Sequence, residues 1–149
     1  MQSCDENRQV SADPAWIFAF SAWLIASTSA LGSLFFGEVM KLPPCSLCWY
    51  QRIFMFPLML ILPFALFPFD RNVIRSVMPL VGFGGFLAAL HVLIVAGIVP
   101  ERVAPCRQGV PCSETVIEWF GFVTIPMLSF VAFVAISVLL ILALQRSAK

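Results

Sequence analysis

Four long apolar stretches constrain this chain more than any other feature of its sequence. A helix rises about 1.5 Å per residue, so that roughly 20 apolar residues cross the hydrocarbon core of a bilayer. Each stretch therefore predicts one membrane-spanning helix, and the 149 residues predict a single all-α domain, an integral membrane four-helix bundle. The predicted spans cover residues 14–37, 50–69, 76–99 and 119–145.

Composition supports a membrane protein and argues against nucleic acid as a partner. Apolar residues make up 60% of the chain and charged residues only 11%, whereas an ordinary soluble domain has roughly 25% charged residues. The formal net charge is +1, and no long basic run offers the electrostatic surface that nucleic acid requires. Membrane lipid is thus the expected surrounding of the bundle.

The cysteines set the expected orientation in the membrane. Four spans place both termini on one side and the loops at about 38–52 and 101–118 on the other. These two loops contain all the cysteines except Cys4, and paired cysteines persist in oxidising compartments. We therefore expect two extracytoplasmic cysteine-bearing loops, cytoplasmic termini and a reduced, unpaired thiol at Cys4.

The first cysteine pair, Cys45 and Cys48, follows Pro43 and Pro44. Two prolines stop a preceding helix, so the second span is predicted to begin at or just after Cys45. A helix N-terminus favours a thiolate, and Arg52 adds a positive charge one turn beyond Cys48. Stabilising the reduced form makes the disulfide a stronger oxidant. Two alternatives remain open, a structural clip and a zinc site built from the thiolates of both loops.

The second pair, Cys106 and Cys112, lies in the loop before the fourth span. Gly109 and Pro111 between them allow a turn that brings the sulfurs within bonding range. Two pairs on one face suggest a relay, since a thiolate needs only to reach a neighbouring disulfide to exchange with it. A pair at the membrane boundary can then deliver two electrons to a carrier dissolved in lipid, which identifies a quinone as the natural acceptor. A purely structural loop disulfide is the alternative.

His91 is the only histidine and lies within the third apolar stretch. Ionisable residues inside a membrane are functional by default, although a hydrogen bond to a neighbouring helix would also explain His91. Arg52 could likewise extend to the lipid headgroups as an anchor. Three acidic residues of the second cysteine loop are interpreted as a solvated edge: Glu101, Glu114 and Glu118.

These motifs resemble the disulfide bond formation protein B (DsbB) family, and more closely its short BdbC-like branch. The resemblance covers nearly the whole chain. It rests on four segments, PCSLCWYQR at 44–52, GVPCS at 109–113, WFGF at 119–122 and TIP at 124–126. The arrangement is specific because the Cys-x-x-Cys pair ends a connecting loop, precedes an arginine and is followed by a second pair after the third span.

The resemblance implies an enzyme of the bacterial inner membrane, a protein-disulfide:quinone oxidoreductase that supports disulfide bond formation. Its partner would be a thioredoxin-fold thiol oxidase (DsbA-like), which attacks Cys106. Cys112 would then exchange with Cys45. The electrons would leave through the quinone pool, either ubiquinone or menaquinone, to the respiratory electron transport chain.

The same resemblance implies roles around the quinone. Cys48 matches the thiolate that contacts the quinone, and Arg52 and His91 match residues that bind near it. No metal ion is expected. The close spacing of Cys106 and Cys112 departs from longer family members, so the order of exchange steps stays open.

Three rival interpretations remain. Vitamin K epoxide reductase-like proteins share the bundle and the quinone chemistry, but their loop pair precedes the Cys-x-x-Cys. A small transporter or metal-binding membrane protein would need more charged groups in its spans, or a stoichiometric metal. A structural tetraspan would carry disulfides that never turn over.

Overall fold

The computed structural model describes residues 14–41, 45–100, 118–119 and 123–147. In these residues the chain forms four long helices, which confirms the predicted all-α membrane bundle. Each of the four is long and apolar enough to cross a membrane. They are α1 (Pro14–Leu34), which continues into a π-helical turn (Phe35–Val39), α2 (Ser46–Leu66), α3 (Arg71–Val95) and α4 (Ile125–Arg146).

Local capping explains where the helices begin. Helix α3 begins at Arg71, ahead of the predicted 76, because the Asp70 carboxylate accepts a hydrogen bond of 2.8 Å from the Asn72 backbone N–H. Helix α4 begins at Ile125 rather than at 119, because β1 (Glu118–Trp119) pairs in antiparallel fashion with β2 (Val123–Thr124). A proline in the first turn of α4 suits that position, where no intrahelical N–H bond is lost.

The helices pack in a closed cycle, in which α1 contacts α2 and α4 while α3 contacts the same two helices. The inward face of α1 is made of small side chains, which let the neighbouring backbones approach closely. Its fully buried alanines are Ala19, Ala22, Ala26 and Ala30. Between α3 and α4, Phe133 is fully buried against Gly84, where an added Cβ would lie 2.3 Å from a ring carbon.

Two prolines, Pro57 and Pro63, lie inside α2, whereas Pro68 lies beyond its end. A proline has no N–H, so Pro63 leaves the carbonyl of Met59, one turn earlier, without its usual helical donor. In this fold the indole N–H of Trp23 on α1 donates to the Met59 carbonyl at 3.1 Å. A neighbouring helix therefore satisfies the backbone group that the proline frees, as a membrane interior requires.

This bond predicts a coupling between Trp23 and Pro63. Replacing Trp23 by Phe should lower the free energy of unfolding by about 1–3 kcal/mol, because the Met59 carbonyl would lose its donor. In a Pro63→Ala background residue 63 again carries an N–H, so the same replacement should cost clearly less. Unfolding in detergent micelles of the two single variants and the double variant measures the difference. Equal costs in both backgrounds would contradict the assignment.

Candidate redox site

Cys45 occupies the N-cap position of α2, which confirms the predicted helix start. Its backbone is extended (φ −66°, ψ 163°), and its sulfur accepts a hydrogen bond from the Cys48 backbone N–H at 3.4 Å. The first amides of a helix have no intrahelical acceptor, so a side-chain acceptor at the N-cap satisfies one of them. The sulfur therefore lies at the positive end of the α2 dipole, where negative charge is stabilised.

The Cys45 and Cys48 sulfurs lie 2.8 Å apart, and both cysteines are free thiols in this structure. Cys45 is buried and Cys48 is half-buried. Their surroundings are apolar, because Cys45 packs in a buried cluster with Leu47 of α2 and Ile94 of α3. The pair is close enough to form a disulfide with little movement of the backbone.

His91 reaches the same sulfur from α3. Only 2% of its surface is exposed, and its Nε2 lies 3.7 Å from Cys45 Sγ. On the other side of the ring, Nδ1 lies 3.1 Å from Nε2 of Gln51 on α2. His91 thus makes the interhelical hydrogen bond that the sequence left as an alternative, and it also contacts the cysteine pair.

Gln51 is the site residue that the sequence analysis missed. It is buried, with 6% of its surface exposed. The sequence did indicate its position, because Gln51 is a polar residue spaced four residues from both Leu47 and Met55, on the buried face of α2. Spacings of three and four residues place such positions on one face of a helix.

Arg52 turns toward α1 instead of extending to the lipid headgroups. Its Nη2 donates to the Ser33 carbonyl, and both Nη atoms lie 3.0 Å from where a Cβ on Gly37 would be. The guanidinium also lies 5.7 Å from the ring centroid of Trp49, within the range of a cation–π contact. The π-helical turn widens the end of α1, and such turns often occur at functional sites.

The electrostatics of the site favour a thiolate at Cys45. The hydrogen bond from the Cys48 thiol lowers the Cys45 pKa most, and the contacts with His91 and the Cys48 backbone N–H lower it further. Burial opposes these effects without overcoming them. The N-cap sulfur of the reduced pair is therefore the acidic one.

The described part of the site can support two kinds of chemistry. The sulfurs of Cys45 and Cys48 and the His91 ring offer donor atoms that all lie within 4.8 Å of one another. A dithiol in this arrangement can form a disulfide, and the same donor types and spacing would suit a soft metal ion. The prediction that no metal is bound stays a prediction.

Several residues named from the sequence lie outside the described residues. These are the second cysteine pair with the Gly and Pro between them, two acidic residues of the same loop, the prolines before Cys45 and the terminal thiol: Cys106, Gly109, Pro111, Cys112, Glu101, Glu114, Pro43, Pro44 and Cys4. The structure therefore brings together Cys45, Cys48 and His91, with Arg52 one turn along α2, and describes nothing of the proposed loop pair.

Four apolar helices and a close pair of thiols at the start of the second helix indicate a multi-pass membrane protein with thiol–disulfide chemistry. The family model described as "Disulfide bond formation protein DsbB" matches residues 13–143. The chain belongs to this family.

Curated relatives agree with the family assignment. The chain is 44% identical over 126 residues to disulfide bond formation protein C of Bacillus subtilis, covering 85% of this chain and 91% of the relative. It is 43% identical over 133 residues to a probable disulfide formation protein of Metapseudomonas resinovorans, with 89% and 92% covered. A probable disulfide formation protein C 2 of Bacillus anthracis is 46% identical over 119 residues, with 80% and 84% covered. No solved structure matches the chain significantly.

The hydrogen bond between the two thiols predicts how Cys45 titrates. In a protein with the other three cysteines replaced by Ser, Cys48→Ala should raise the Cys45 pKa, because the largest stabilising donor is lost. Cys48→Ser keeps a hydroxyl donor and should raise it less. The ultraviolet absorbance of the thiolate, followed against pH, measures both midpoints. A midpoint for Cys48→Ala at or below that for Cys48→Ser would contradict the assigned cause.

Proposed function

We propose that this protein is a quinone-linked thiol oxidase, which reoxidises a thioredoxin-fold, DsbA-like donor of disulfides and passes two electrons to a membrane quinone. The proposal is carried by one observation: two free sulfurs lie 2.8 Å apart at the start of a helix in an apolar bundle, and the sulfur of Cys45 caps that helix. Family membership supports the thiol–disulfide chemistry. The quinone, ubiquinone or menaquinone, and the donor are part of the proposal.

The electrons follow a relay of two disulfides. The partner dithiol reduces the Cys106–Cys112 disulfide through a mixed disulfide on Cys106, and the partner leaves oxidised. Cys112 then attacks Cys45 and releases the Cys48 thiolate. Cys106 closes on Cys112 and releases Cys45, so the loop disulfide is restored and the Cys45/Cys48 pair holds two electrons and two protons. When bound, a quinone would accept these electrons and protons while the Cys45–Cys48 disulfide re-forms.

The geometry suits Cys45 as the leaving group of the internal exchange. A thiol of lowered pKa leaves a disulfide faster, and the sulfur of Cys45 is held by the Cys48 N–H and faces Nε2 of His91. Both contacts stabilise the negative charge that develops on sulfur as the bond to Cys112 breaks. Burial beside Leu47 and Ile94 keeps water from competing for these contacts.

The residues around Arg52 fit a quinone head group. Quinone oxygens are hydrogen-bond acceptors, and a guanidinium carries five N–H donors, of which Nη2 holds the Ser33 carbonyl. Trp49, whose ring faces the guanidinium, is about half-exposed, and so are Ile53, the next residue along α2, and Phe35 at the π-helical turn. Arg52 would therefore hold a quinone oxygen near Cys48, and His91 would bind near the same site through the cysteine pair.

We place the protein in the bacterial inner membrane, with both termini cytoplasmic and the cysteine loops extracytoplasmic. Disulfide exchange with a secreted partner requires this orientation, because disulfides persist on the oxidising side. A second function, in which the thiols and His91 hold a metal ion, would instead require stoichiometric metal in the purified protein.

The function is tested by anaerobic mixing of the purified protein with a reduced thioredoxin-fold thiol oxidase and a quinone. We expect quinone absorbance to fall by one equivalent for each partner disulfide formed. The Cys48→Ser variant should abolish the loss, and Cys4→Ser should leave it intact. When the partner is supplied in its oxidised form instead, a Cys112→Ser variant should trap it as a mixed disulfide, because the lone Cys106 thiolate attacks the partner's disulfide. No loss with either quinone type would refute the quinone-linked function, and stoichiometric metal would favour the alternative.

Arg52 should act on quinone reduction and not on partner exchange. Arg52→Ala is expected to raise the quinone KM about tenfold or more, as befits the loss of a charge-assisted hydrogen bond, while partner exchange in the absence of quinone is unchanged. Gly37→Val should have a smaller effect in the same direction, because its side chain displaces the guanidinium. Gly32→Val is the matched control, since no atom apart from the adjacent residues and the local helix backbone lies within 4 Å of its Cβ position. Unchanged quinone kinetics in Arg52→Ala would exclude this role.

A further inference from the structure

The contact with His91 gives Gln51 a role beyond helix packing. We infer that Gln51 is a positioning residue that holds the neutral His91 ring as its Nε2–H tautomer and directs that N–H at the Cys45 sulfur. The geometry stands by itself, whereas its consequence for turnover rests on the proposed function.

Burial makes the Gln51 amide dependent on this contact. The side chain lies on the inward face of α2 among Leu47, Met55 and Leu58, all of which are buried. Burying an amide in apolar surroundings is unfavourable unless the amide is hydrogen-bonded. The 3.1 Å hydrogen bond between Gln51 Nε2 and His91 Nδ1 offsets this unfavourable burial.

The identity of the two atoms fixes the tautomer. An amide nitrogen only donates, so Nδ1 of His91 must accept and carries no proton. A neutral imidazole has one N–H, which then lies on Nε2. Nε2 is 3.7 Å from Cys45 Sγ, within reach of a hydrogen bond to sulfur. The chain of contacts therefore runs from the Gln51 amide, through the ring, to the sulfur.

The opposite tautomer would work against the site. If the Gln51 carbonyl faced Nδ1, the proton would lie there and the bare Nε2 lone pair would face the sulfur. Two acceptors would then oppose each other in a low-dielectric interior, where such contacts are costly. Gln51 thus selects the ring state that stabilises negative charge on Cys45, which the proposed exchange generates when Cys45 is released from Cys112.

The inference can be tested on His91 alone, because the chain has a single histidine. In reduced full-length protein carrying 15N-histidine, long-range 1H–15N spectra distinguish the protonated ring nitrogen from the bare one. We expect Nε2 to be protonated in the wild type. Gln51→Glu should move the proton to Nδ1 or give the doubly protonated ring, because a carboxylate only accepts. Gln51→Met should give a mixture of tautomers.

Activity gives the second readout. Gln51→Met is expected to lower kcat for partner oxidation about tenfold, as the loss of one buried hydrogen bond would, with little change in the quinone KM. Met55→Leu, one turn further along the same buried face, is the matched control and should keep both the wild-type tautomer and the wild-type kcat.

Two outcomes would overturn the inference: a wild-type ring with its proton on Nδ1, or a Gln51→Met protein with an unchanged tautomer. Because the wild-type spectrum decides the tautomer by itself, a variant that fails to fold leaves the inference falsifiable. Failure of the proposed function would appear separately, as wild-type protein that lacks quinone reduction but shows the Nε2–H tautomer.

Discussion

Polar groups inside an apolar bundle must find their partners within the protein, either on their own helix or on a neighbouring one, because lipid offers none. Three such contacts join the described helices: Trp23 with the Met59 carbonyl, Arg52 with the Ser33 carbonyl and Gln51 with His91. An unsatisfied group in hydrocarbon costs several kcal/mol, so each contact strongly favours one arrangement of the helices it joins. The first two tie α1 to α2 and the third ties α2 to α3. The first turns of α2 are consequently held from two sides.

That constraint explains why the sulfur of Cys45 has a defined position although the residue lies outside the helices. Cys45 lies just before the first turn of α2, and its sulfur is fixed by the Cys48 amide of α2 and by His91 near the end of α3. The hydrogen bond from the Cys48 thiol, one helical turn along, lowers the Cys45 pKa most. The two contacts just named also favour negative charge on the sulfur and lower this pKa further. A reduced pair stabilised in this way forms a disulfide that accepts electrons readily. The same arrangement that satisfies the helix end therefore supports the oxidising role proposed for the pair.

Some parts of this site were predictable from sequence and others were not. The prolines at 43 and 44 and the apolar run beyond Cys48 correctly predicted a helix beginning beside Cys45, because these are local signals. The start of α4 was predicted too early, since apolar residues at 119–124 suit a strand as well as a span. Arg52 was recognised, but its direction was not, because a long side chain reaches either lipid headgroups or a neighbouring helix from the same position. Gln51 was overlooked because its importance depends on a partner that is distant along the chain.

The sequence by itself determined the class of the protein: four apolar helices, a Cys-x-x-Cys pair at a helix start and membership in a disulfide-forming family. Such properties depend on the length, hydropathy and order of neighbouring residues, which the chain carries however it packs. Only the tertiary structure decided that His91 faces Cys45 and that Gln51 contacts Nδ1 on the other side of the His91 ring. It also decided that Trp23 donates to the Met59 carbonyl, which Pro63 leaves without a helical donor. Those contacts join residues from different helices, and their geometry follows from how buried polar groups satisfy one another once the bundle closes.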